Sequence, residues 1–300
     1  MSETITHTAQ ISWVSEFKTL TKHRLSLSVV FSSLAGYVLG AQQFDLLTFA
    51  LLFVGGYAMV GASNAFNQII EKDLDALMKR TQNRPLPSGR MTVSTAWVTA
   101  VILTLTGLAL LYTINPTTAF FGGVSIFIYV AIYTPLKTKT PLSVFVGAFP
   151  GAIPFMLGWV ATSGDFGIEP GTLFMIQFFW QFPHFWALGW WLYDDYKSGG
   201  FFMLPTGKRD TGTAVQIMLY CVWTIAVSII PVFGVTGDLR LSLSSAGIVL
   251  VLGLIMLFFA IRLYQKRDTK SAKQLMLASV TYITLIQLVY VGDKIFRIWL

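Results

Sequence analysis

Charged residues are scarce in this chain of 300 residues: Asp, Glu, Lys and Arg together make up 12% of it, whereas hydrophobic residues make up 54%. In soluble domains about a quarter of the residues are charged, so this composition excludes an ordinary soluble protein. Cysteine occurs once, at Cys221, which excludes an internal disulfide and gives no cysteine spacing for a metal site. The chain is therefore predicted to lie largely within a lipid bilayer.

Nine apolar stretches are long enough to cross the hydrocarbon layer as helices, which takes about 20 residues each. Helices are expected because an open strand edge would leave backbone groups without hydrogen bonds in lipid. The predicted fold is an all-α, polytopic membrane protein with nine transmembrane helices around a central cavity open to the cytoplasmic side, and residues 1–300 form one intramembrane domain. The predicted spans are Leu25–Ala41, Leu46–Phe66, Val93–Ile114, Ala119–Leu136, Leu142–Thr162, Leu173–Tyr193, Ala214–Val235, Leu241–Ile261 and Leu275–Val291.

Basic residues fall almost entirely on one side of these spans. If the N-terminus is cytoplasmic, 18 of the 21 Lys and Arg lie in cytoplasmic segments, in agreement with the positive-inside rule. The net charge of +7 then reflects topology and contact with anionic membrane lipids, and it requires no nucleic-acid partner. Residues 1–24 form a cytoplasmic leader, in which apolar residues from Ile11 to Leu20 predict a helix on the membrane surface; a disordered leader is the alternative.

A polar segment, residues 64–89, follows the second apolar stretch. If the helix continues past Phe66, a step of about 100° per residue turns Asp73 to one side and brings four other side chains to the opposite face: Asn64, Asn67, Glu71 and Asp75. Two carboxylates on one face repel each other unless a cation lies between them, and Mg²⁺ prefers such oxygen ligands. The alternative is a solvated helix end whose acids pair with Lys72, Lys79 and Arg80.

A second acidic spot, Asp194 and Asp195, ends the sixth apolar stretch on the same predicted side of the membrane. Two such sites around one cavity would hold a pair of Mg²⁺ ions with a substrate diphosphate between them. Arg84, Lys137 and Lys197 lie on that side and would complete a clamp for the diphosphate. Such a clamp suits the ionisation of an allylic diphosphate, because metal ions neutralise the leaving group and aromatic walls tolerate the carbocation.

Several motifs mark a family resemblance. The stretch Asn67–Asp75, with Asn83–Pro87 after it, resembles the first acidic motif of the UbiA superfamily of intramembrane prenyltransferases, and Tyr133–Lys137 matches the tyrosine and lysine motif of that family. Within the superfamily, Trp180–Trp186 and the later Asp195-Tyr196 are similar to the branch that transfers a farnesyl group to haem. The likeness extends from about Leu20 to the last helix.

The resemblance implies a reaction in which C1 of farnesyl diphosphate alkylates a vinyl group of haem B and water captures the resulting cation, giving haem O. It implies that one Mg²⁺ is held by Asn67, Glu71 and Asp75 and that Asp195 contributes to the second. Diphosphate-binding residues would be Arg84, Lys137, Tyr133 and Lys197. The bacterial cytoplasmic (inner) membrane would be the location, and a downstream haem-modifying enzyme would be a further partner.

His184 is the residue that bears on the choice of acceptor. Imidazole is a common axial ligand of haem iron, so His184 would ligate or orient the haem; the alternative is a histidine that forms a hydrogen bond with a neighbouring carbonyl inside the bundle. Two other functions stay open: a related prenyltransferase acting on a quinone precursor or another tetrapyrrole, and an ion-coupled transporter. Against a transporter, the sequence contains no inverted repeat of the Asn67–Asp75 pattern.

Overall fold

The computed structural model describes residues 12–299, and the regular structure in that range is entirely helical, with no strand. The prediction of an all-α fold is confirmed. In chain order the helices are α1 (Trp13–Leu20), α2 (His23–Gly40), α3 (Leu46–Ile70), α4 (Lys72–Asp75), α5 (Val93–Ile114), α6 (Pro116–Phe127), α7 (Thr134–Leu136), α8 (Ser143–Ser163), α9 (Ile168–Trp191), α10 (Tyr193–Ser198), α11 (Thr211–Ile229), α12 (Leu243–Lys266) and α13 (Thr269–Trp299). A π-helical segment, Ile128–Tyr133, joins α6 to α7.

Seven helices in residues 12–299 are long and apolar enough to cross a membrane, which indicates a multi-pass membrane protein. They are Leu46–Ile70, Val93–Ile114, Pro116–Leu136, Ser143–Ser163, Thr211–Phe233, Leu243–Lys266 and Thr269–Arg297. The predicted count of nine spans is not confirmed. The two other long helices are more polar, since α2 contains four serines and α9 contains Gln177, Gln181 and His184.

The long helices pack in chain order around the bundle, and α13 returns to contact α2. In addition, α2 packs along α8 and α9 packs along α13. The contact of α2 with α8 is close because a Cβ atom on Gly158 would collide with the backbone of Ser33. Small residues at such contacts are typical of helices that pack within a membrane.

A short helix precedes the first long one, as the apolar spacing predicts. The α1 helix begins after Ser12, whose side chain caps it by accepting a hydrogen bond from the backbone of Ser15. Glu16 of α1 pairs with Arg90 at 2.9 Å, which fastens the helix to the segment before α5. Ile11, the first apolar residue of the predicted surface helix, lies outside the described residues, and the position of α1 on a membrane surface stays a prediction.

Candidate active site

The first acidic motif lies where α3 ends. The helix continues past Phe66, which is the condition for the shared face, but α3 ends at Ile70 and a single turn, α4, follows Glu71. The spacing of the motif nevertheless survives: the backbone of Glu71 donates to Asn67 O at 3.0 Å, and that of Asp75 donates to Glu71 O at 2.7 Å. Asn67, Glu71 and Asp75 are therefore stacked and buried, at 1%, 4% and 0% exposure. Asp73, as predicted, points away and is exposed.

Asn64 does not join this group, although the sequence places it on the same face. Its carboxamide Nδ2 donates to Val60 O in the preceding turn at 3.0 Å and lies 3.4 Å from both Thr21 O and Ser26 Oγ. These partners lie within α3 and at the start of α2, so Asn64 holds the two helices together and leaves three side chains in the motif.

Each buried acid of the motif contacts one cation. Lys137 Nζ lies 2.6 Å from Glu71 Oε1, and Arg84 NH1 lies 2.7 Å from Asp75 Oδ2. Both cations come from the residues predicted to bind diphosphate. The alternative pairing is not observed for these acids, since Lys72 lies 3.6 Å from the exposed Asp73. The structure thus joins the predicted metal ligands and the predicted diphosphate ligands in one cluster, which we call the acidic cluster: Asn67, Glu71, Asp75, Arg84 and Lys137.

The chain after α4 folds back tightly, and this positions Arg84. Thr81 is fully buried, and its hydroxyl donates to Asp75 O at 2.8 Å. The backbone of Arg84 in turn donates to Thr81 O at 2.9 Å. The segment from Thr81 to Arg84 is thus held by a hydrogen bond to Asp75, the residue that Arg84 pairs with. This contact limits the backbone positions of Arg84 and places its guanidinium beside Asp75.

The π-helical segment brings Lys137 and Tyr133 to the cluster. An extra residue per turn shifts the side chains that follow, and such segments are frequent at functional sites. Thr134 Oγ1 donates to Tyr129 O at 2.8 Å and accepts from Asn67 Nδ2 at 3.3 Å, which links this segment to α3. Lys137 Nζ lies 4.7 Å from the centre of the Tyr133 ring, a cation–π distance.

Lys22 is a member of the site that the sequence reasoning missed. Its Nζ lies 3.4 Å from Asn67 Oδ1, and its backbone adopts the left-handed conformation, with φ 46°. Burial, followed by the nearby charges of Arg84 and Lys137, lowers the pKa of Lys22 to about 7. The sequence signal for Lys22 is a basic residue directly before the first apolar stretch, which by itself indicates only the orientation of the chain in the membrane. A strained lysine is typical of a functional position.

The second acidic spot touches the first through the loop after α4. Asp195 Oδ1 accepts a hydrogen bond from the Lys79 backbone at 2.8 Å, and Arg80 Nε lies 3.9 Å from Asp195 Oδ2. The neighbouring Asp194 is exposed and pairs with Arg209 at 3.1 Å. Lys197 is exposed on α10 and makes no ion pair within residues 12–299, so the structure does not bring it into the acidic cluster.

The donor set fits a hard cation only in part. Within residues 12–299 no group of three or more His, Cys, Asp and Glu side chains lies close enough to hold a metal ion. Asp75 Oδ1 is buried and has no hydrogen-bond partner in that range, as expected for a ligand oxygen that a cation would complete. Burial raises the pKa of Asp75, and Arg84 acts in the opposite direction. A metal ion here would need the carboxamide of Asn67 and oxygens of a bound substrate as further ligands.

His184 lies apart from the acidic cluster, between α9 and α13. Its Nδ1 is 2.9 Å from Ser279 Oγ, and its ring stacks on Trp180 with centres 4.9 Å apart. Trp180 Nε1 donates to Ser279 O at 2.7 Å. Ser279 therefore fixes both rings. His184 thus forms a hydrogen bond inside the bundle, as the alternative expected, although its partner is the Ser279 hydroxyl and not a carbonyl.

Comparisons with known proteins agree with these motifs. Residues 29–285 match the UbiA prenyltransferase family. The chain is 68% identical over 300 residues to the "Protoheme IX farnesyltransferase" of Christiangramia forsetii, covering 100% of both chains. It is 67% identical over 285 residues to the protein of that name from Flavobacterium psychrophilum, covering 94% of this chain and 95% of the relative.

Solved structures share the fold at low sequence identity. A structure described as digeranylgeranylglyceryl phosphate synthase has a TM-score of 0.76 at 16% identity, covering 93% of this chain and 98% of its own. A UbiA homologue from Archaeoglobus fulgidus bound to DMAPP and Mg²⁺ has a TM-score of 0.68 at 14% identity, covering 93% and 99%. At these identities the likeness establishes the fold alone. Together with the family match and the close relatives, it shows that the chain belongs to the UbiA prenyltransferase family, among the protohaem IX farnesyltransferases.

Proposed function

We propose that this chain transfers the farnesyl group of farnesyl diphosphate to a vinyl group of haem B, giving haem O. The C1–O bond of farnesyl diphosphate breaks, and the diphosphate leaves with the electron pair. The vinyl π electrons form the new C–C bond, water adds to the resulting cation, and a proton is released. The observation that carries the proposal is the acidic cluster, in which buried carboxylates and cations meet at one end of α3. A quinone-precursor acceptor and a transporter are not favoured, because the close relatives are haem farnesyltransferases.

We propose that Lys137 and Arg84 exchange their carboxylate partners for the diphosphate when the substrate binds. Without substrate, Lys137 neutralises Glu71 and Arg84 neutralises Asp75, so neither acid lies buried as a lone charge. When farnesyl diphosphate enters, the two cations turn to its phosphate oxygens, and the acids become available to a divalent cation. The site thus stays close to electrical balance with and without its substrate, and the diphosphate is held by charge-assisted hydrogen bonds.

The proposed metal ligands follow from the same exchange. Asn67, Glu71 and Asp75 would hold one Mg²⁺, and Asp195 would contribute to a second. Mg²⁺, when bound, neutralises the diphosphate as it leaves. The Mg²⁺ in a structural neighbour from Archaeoglobus fulgidus supports a divalent cation in the proposal, and the Asp75 oxygen that lacks a partner in residues 12–299 supports Asp75 as one of its ligands.

Basic and aromatic residues around the cluster complete the proposal. Lys22, next to Asn67, would add a third cation for the diphosphate, whereas Lys197 would have to reach inward from an exposed position. The Tyr133 and Phe201 rings lie 4.7 and 5.6 Å from Lys137 Nζ. Rings that already face a cation are suited to a carbocation at C1 once Lys137 has turned to the diphosphate.

Haem contact is the role we propose for His184. Ser279 Oγ donates its single proton to Met276 O at 2.7 Å, so it accepts a hydrogen bond from His184 Nδ1–H. The proton is thereby assigned to Nδ1, and Nε2 keeps the lone pair that haem iron would use. The haem would then lie deeper than the diphosphate, since His184 is seven residues, or about 10 Å at helical rise, before the end of α9 at Trp191, and Asp195 lies beyond that end on α10.

Location and direction also belong to the proposal. We place the chain in the bacterial cytoplasmic membrane with its N-terminus and its acidic cluster on the cytoplasmic side, as the distribution of Lys and Arg supports. Membrane lipids surround it, and a haem-modifying enzyme would receive its product.

The proposal is tested by expressing the chain in a host that lacks haem O and analysing the extracted haems by mass spectrometry. We expect a new haem that is heavier than haem B by one farnesyl group and one hydroxyl group. A host that accumulates only haem B, while the protein is present in its membrane, would contradict the proposal. If a prenylated quinone precursor were found in place of the new haem, the acceptor substrate would be a quinone precursor and not haem B.

A further inference from the structure

Lys22 reaches the acidic cluster from a strained turn. Two residues join α1 to α2, and Lys22 is the second of them, with φ 46° and ψ 55°. Its Nζ lies 3.4 Å from Asn67 Oδ1, so the end of the side chain lies at the acidic cluster. In this left-handed conformation the Cβ atom of an L-residue approaches the following carbonyl oxygen, which costs free energy. Contacts around the turn must therefore hold the Lys22 backbone in place.

Glycine is the usual residue in this conformation at a helix end, and the chain uses it elsewhere. Gly164, which follows α8, has φ 76°. Within residues 12–299, Lys22 and Arg267 are the residues other than glycine with a positive φ. Glycine at position 22 would avoid the strain but would place no cation beside Asn67. The turn before α2 thus combines an unfavourable backbone with a side chain that the acidic cluster uses.

Gln68 holds the backbone directly before this turn. Its side chain is fully buried, and Nε2 donates to Leu20 O at 2.7 Å and to Thr19 O at 3.1 Å. These carbonyls belong to the last turn of α1, where carbonyl groups have no partner within the helix. The next carbonyl along the chain accepts a hydrogen bond from Ser26 Oγ at 2.7 Å. Side chains therefore fix all three carbonyl groups before Lys22, and Gln68 fixes two of them.

Asn67 and Gln68 are neighbours at the end of α3, and their side chains point in different directions. A step of about 100° separates them on the helix. Asn67 contacts Lys22 Nζ, whereas Gln68 contacts the end of α1. A lysine side chain is a flexible stem of four carbons, so the position of Nζ depends on where its backbone is held. Because both carboxamides belong to one helix, Gln68 fixes the Lys22 backbone relative to the residue that Nζ contacts.

We propose that Gln68 is a positioning residue for the diphosphate: it holds the turn before α2 so that Lys22 Nζ lies where the phosphate oxygens of the substrate bind. Gln68 does not touch the substrate and acts through Lys22. This inference rests on the proposed function, in which Lys22 adds a third cation for the diphosphate.

Loss of the Gln68 hydrogen bonds should leave α1 attached to the bundle. Leu20 is fully buried in an apolar cluster that includes Leu86. Glu16 of α1 also keeps its ion pair with Arg90 at 2.9 Å. Gln68→Met retains the length of the side chain and removes both hydrogen bonds. It therefore frees the turn before α2 without releasing α1.

The test is a double-mutant cycle on substrate binding by the purified full-length chain in the presence of Mg²⁺. The probe is farnesyl thiolodiphosphate, in which sulfur replaces the oxygen between C1 and the diphosphate and slows ionisation. Lys22→Met should weaken binding of the probe about tenfold, the effect of one hydrogen bond to a charged group. Gln68→Met alone should weaken it about three- to tenfold. When Lys22 is already Met, the change at Gln68 should weaken binding less than about twofold, because no ammonium group is left to position.

Gln181→Met is the matched control. Gln181 is also a buried glutamine that donates to two backbone carbonyls, Ala148 O at 2.9 Å and Gln177 O at 3.2 Å. The control should lower the unfolding temperature as Gln68→Met does and leave binding of the probe unchanged.

Three outcomes would contradict the inference. Equal weakening by Gln68→Met with and without the Lys22 ammonium group would overturn it, and so would a similar weakening in Gln181→Met. A parent chain that does not bind the probe would contradict the proposed function, and this inference with it.

Lys22→Gly tests the proposal even if Gln68→Met does not fold. Glycine adopts the left-handed conformation freely, so the unfolding temperature should rise while binding of the probe falls as in Lys22→Met. Unchanged binding in Lys22→Gly would show that the turn needs no side chain, and there would be nothing for Gln68 to position.

Discussion

Replacement of Asp75 by Asn tests the acidic cluster most directly. The change keeps the shape of the side chain and removes one negative charge from a residue that is fully buried. Arg84, 2.7 Å away with its side chain 14% exposed, then loses its counter-ion. At an effective dielectric constant of about 20, the attraction across 2.7 Å is about 6 kcal/mol, and the desolvation of both groups offsets part of it. Breaking such a buried pair from one side is expected to cost about 3–5 kcal/mol.

Stability and turnover should respond differently to a second substitution. With both partners neutral, Asp75→Asn/Arg84→Gln should recover much of the lost stability, because no lone charge stays buried. Its turnover should remain at least about 100-fold below that of the parent chain, since a metal ligand and a diphosphate ligand are both gone. Farnesyl transfer to haem B is measured on purified protein by mass spectrometry of extracted haem, and stability by thermal unfolding in the same detergent.

Asp73→Asn is the matched control for this experiment. It removes the same charge from the same turn of α4, on the exposed side, where Asp73 has only Lys72 at 3.6 Å. We expect turnover and unfolding temperature close to those of the parent. Near-normal turnover of Asp75→Asn would refute the metal-site assignment. Recovery of turnover in the double variant would show that neither Asp75 nor Arg84 is a ligand of metal or diphosphate and that the pair serves only the stability of the fold.

Three further predictions concern the haem, the metal and the topology. His184→Ala should weaken haem retention and shift the Soret band while farnesyl diphosphate still binds in the presence of Mg²⁺; unchanged haem titrations would leave His184 with only its bond to Ser279. Removal of Mg²⁺ with a chelator should abolish turnover, and added Mg²⁺ should restore it; turnover that resists the chelator would contradict the metal proposal. Accessibility tags at Gly207 should report the cytoplasm, whereas tags at Gln43 should report the opposite side if α2 crosses the membrane, and a cytoplasmic signal at Gln43 would exclude that crossing.

The spacing of residues close in sequence was sufficient to predict which side chains share a face. Contacts between residues far apart in the chain could not be predicted from it. The interval of four residues from Asn67 to Glu71 and on to Asp75 predicts a common face, and the backbone hydrogen bonds preserve that interval even where α3 ends. No local pattern predicts which cation pairs with which acid. The pairing of Lys137 with Glu71, for example, depends on the π-helical segment that precedes Lys137 and sets the direction of its side chain. Lys22 was missed for the same reason: its contact with Asn67 depends on how α2 packs on α3.

Composition likewise decided the fold class and left the number of spans open. Long apolar runs predict membrane helices, and seven are confirmed as sufficiently apolar within residues 12–299. In α2 and α9, serine, glutamine and histidine lower the hydropathy, and some of these side chains face other helices, as Ser32 of α2 does when it accepts a hydrogen bond from Gln287 of α13 at 3.0 Å. Hydropathy measures contact with lipid, so it underestimates helices that pack inside the bundle.

The link between Asn67 and Thr134 has a consequence for the order of assembly. Thr134 comes 67 residues after Asn67, whereas Arg84 follows its partner Asp75 by only nine. At a synthesis rate of about 5–20 residues per second, roughly 3–13 s pass between the synthesis of Asn67 and that of Thr134. Arg84, the partner of Asp75, is therefore synthesised soon after it, whereas Glu71 has no partner until Lys137 has been synthesised. A chain that ends within α5 or α6 would therefore carry Glu71 without its cation Lys137.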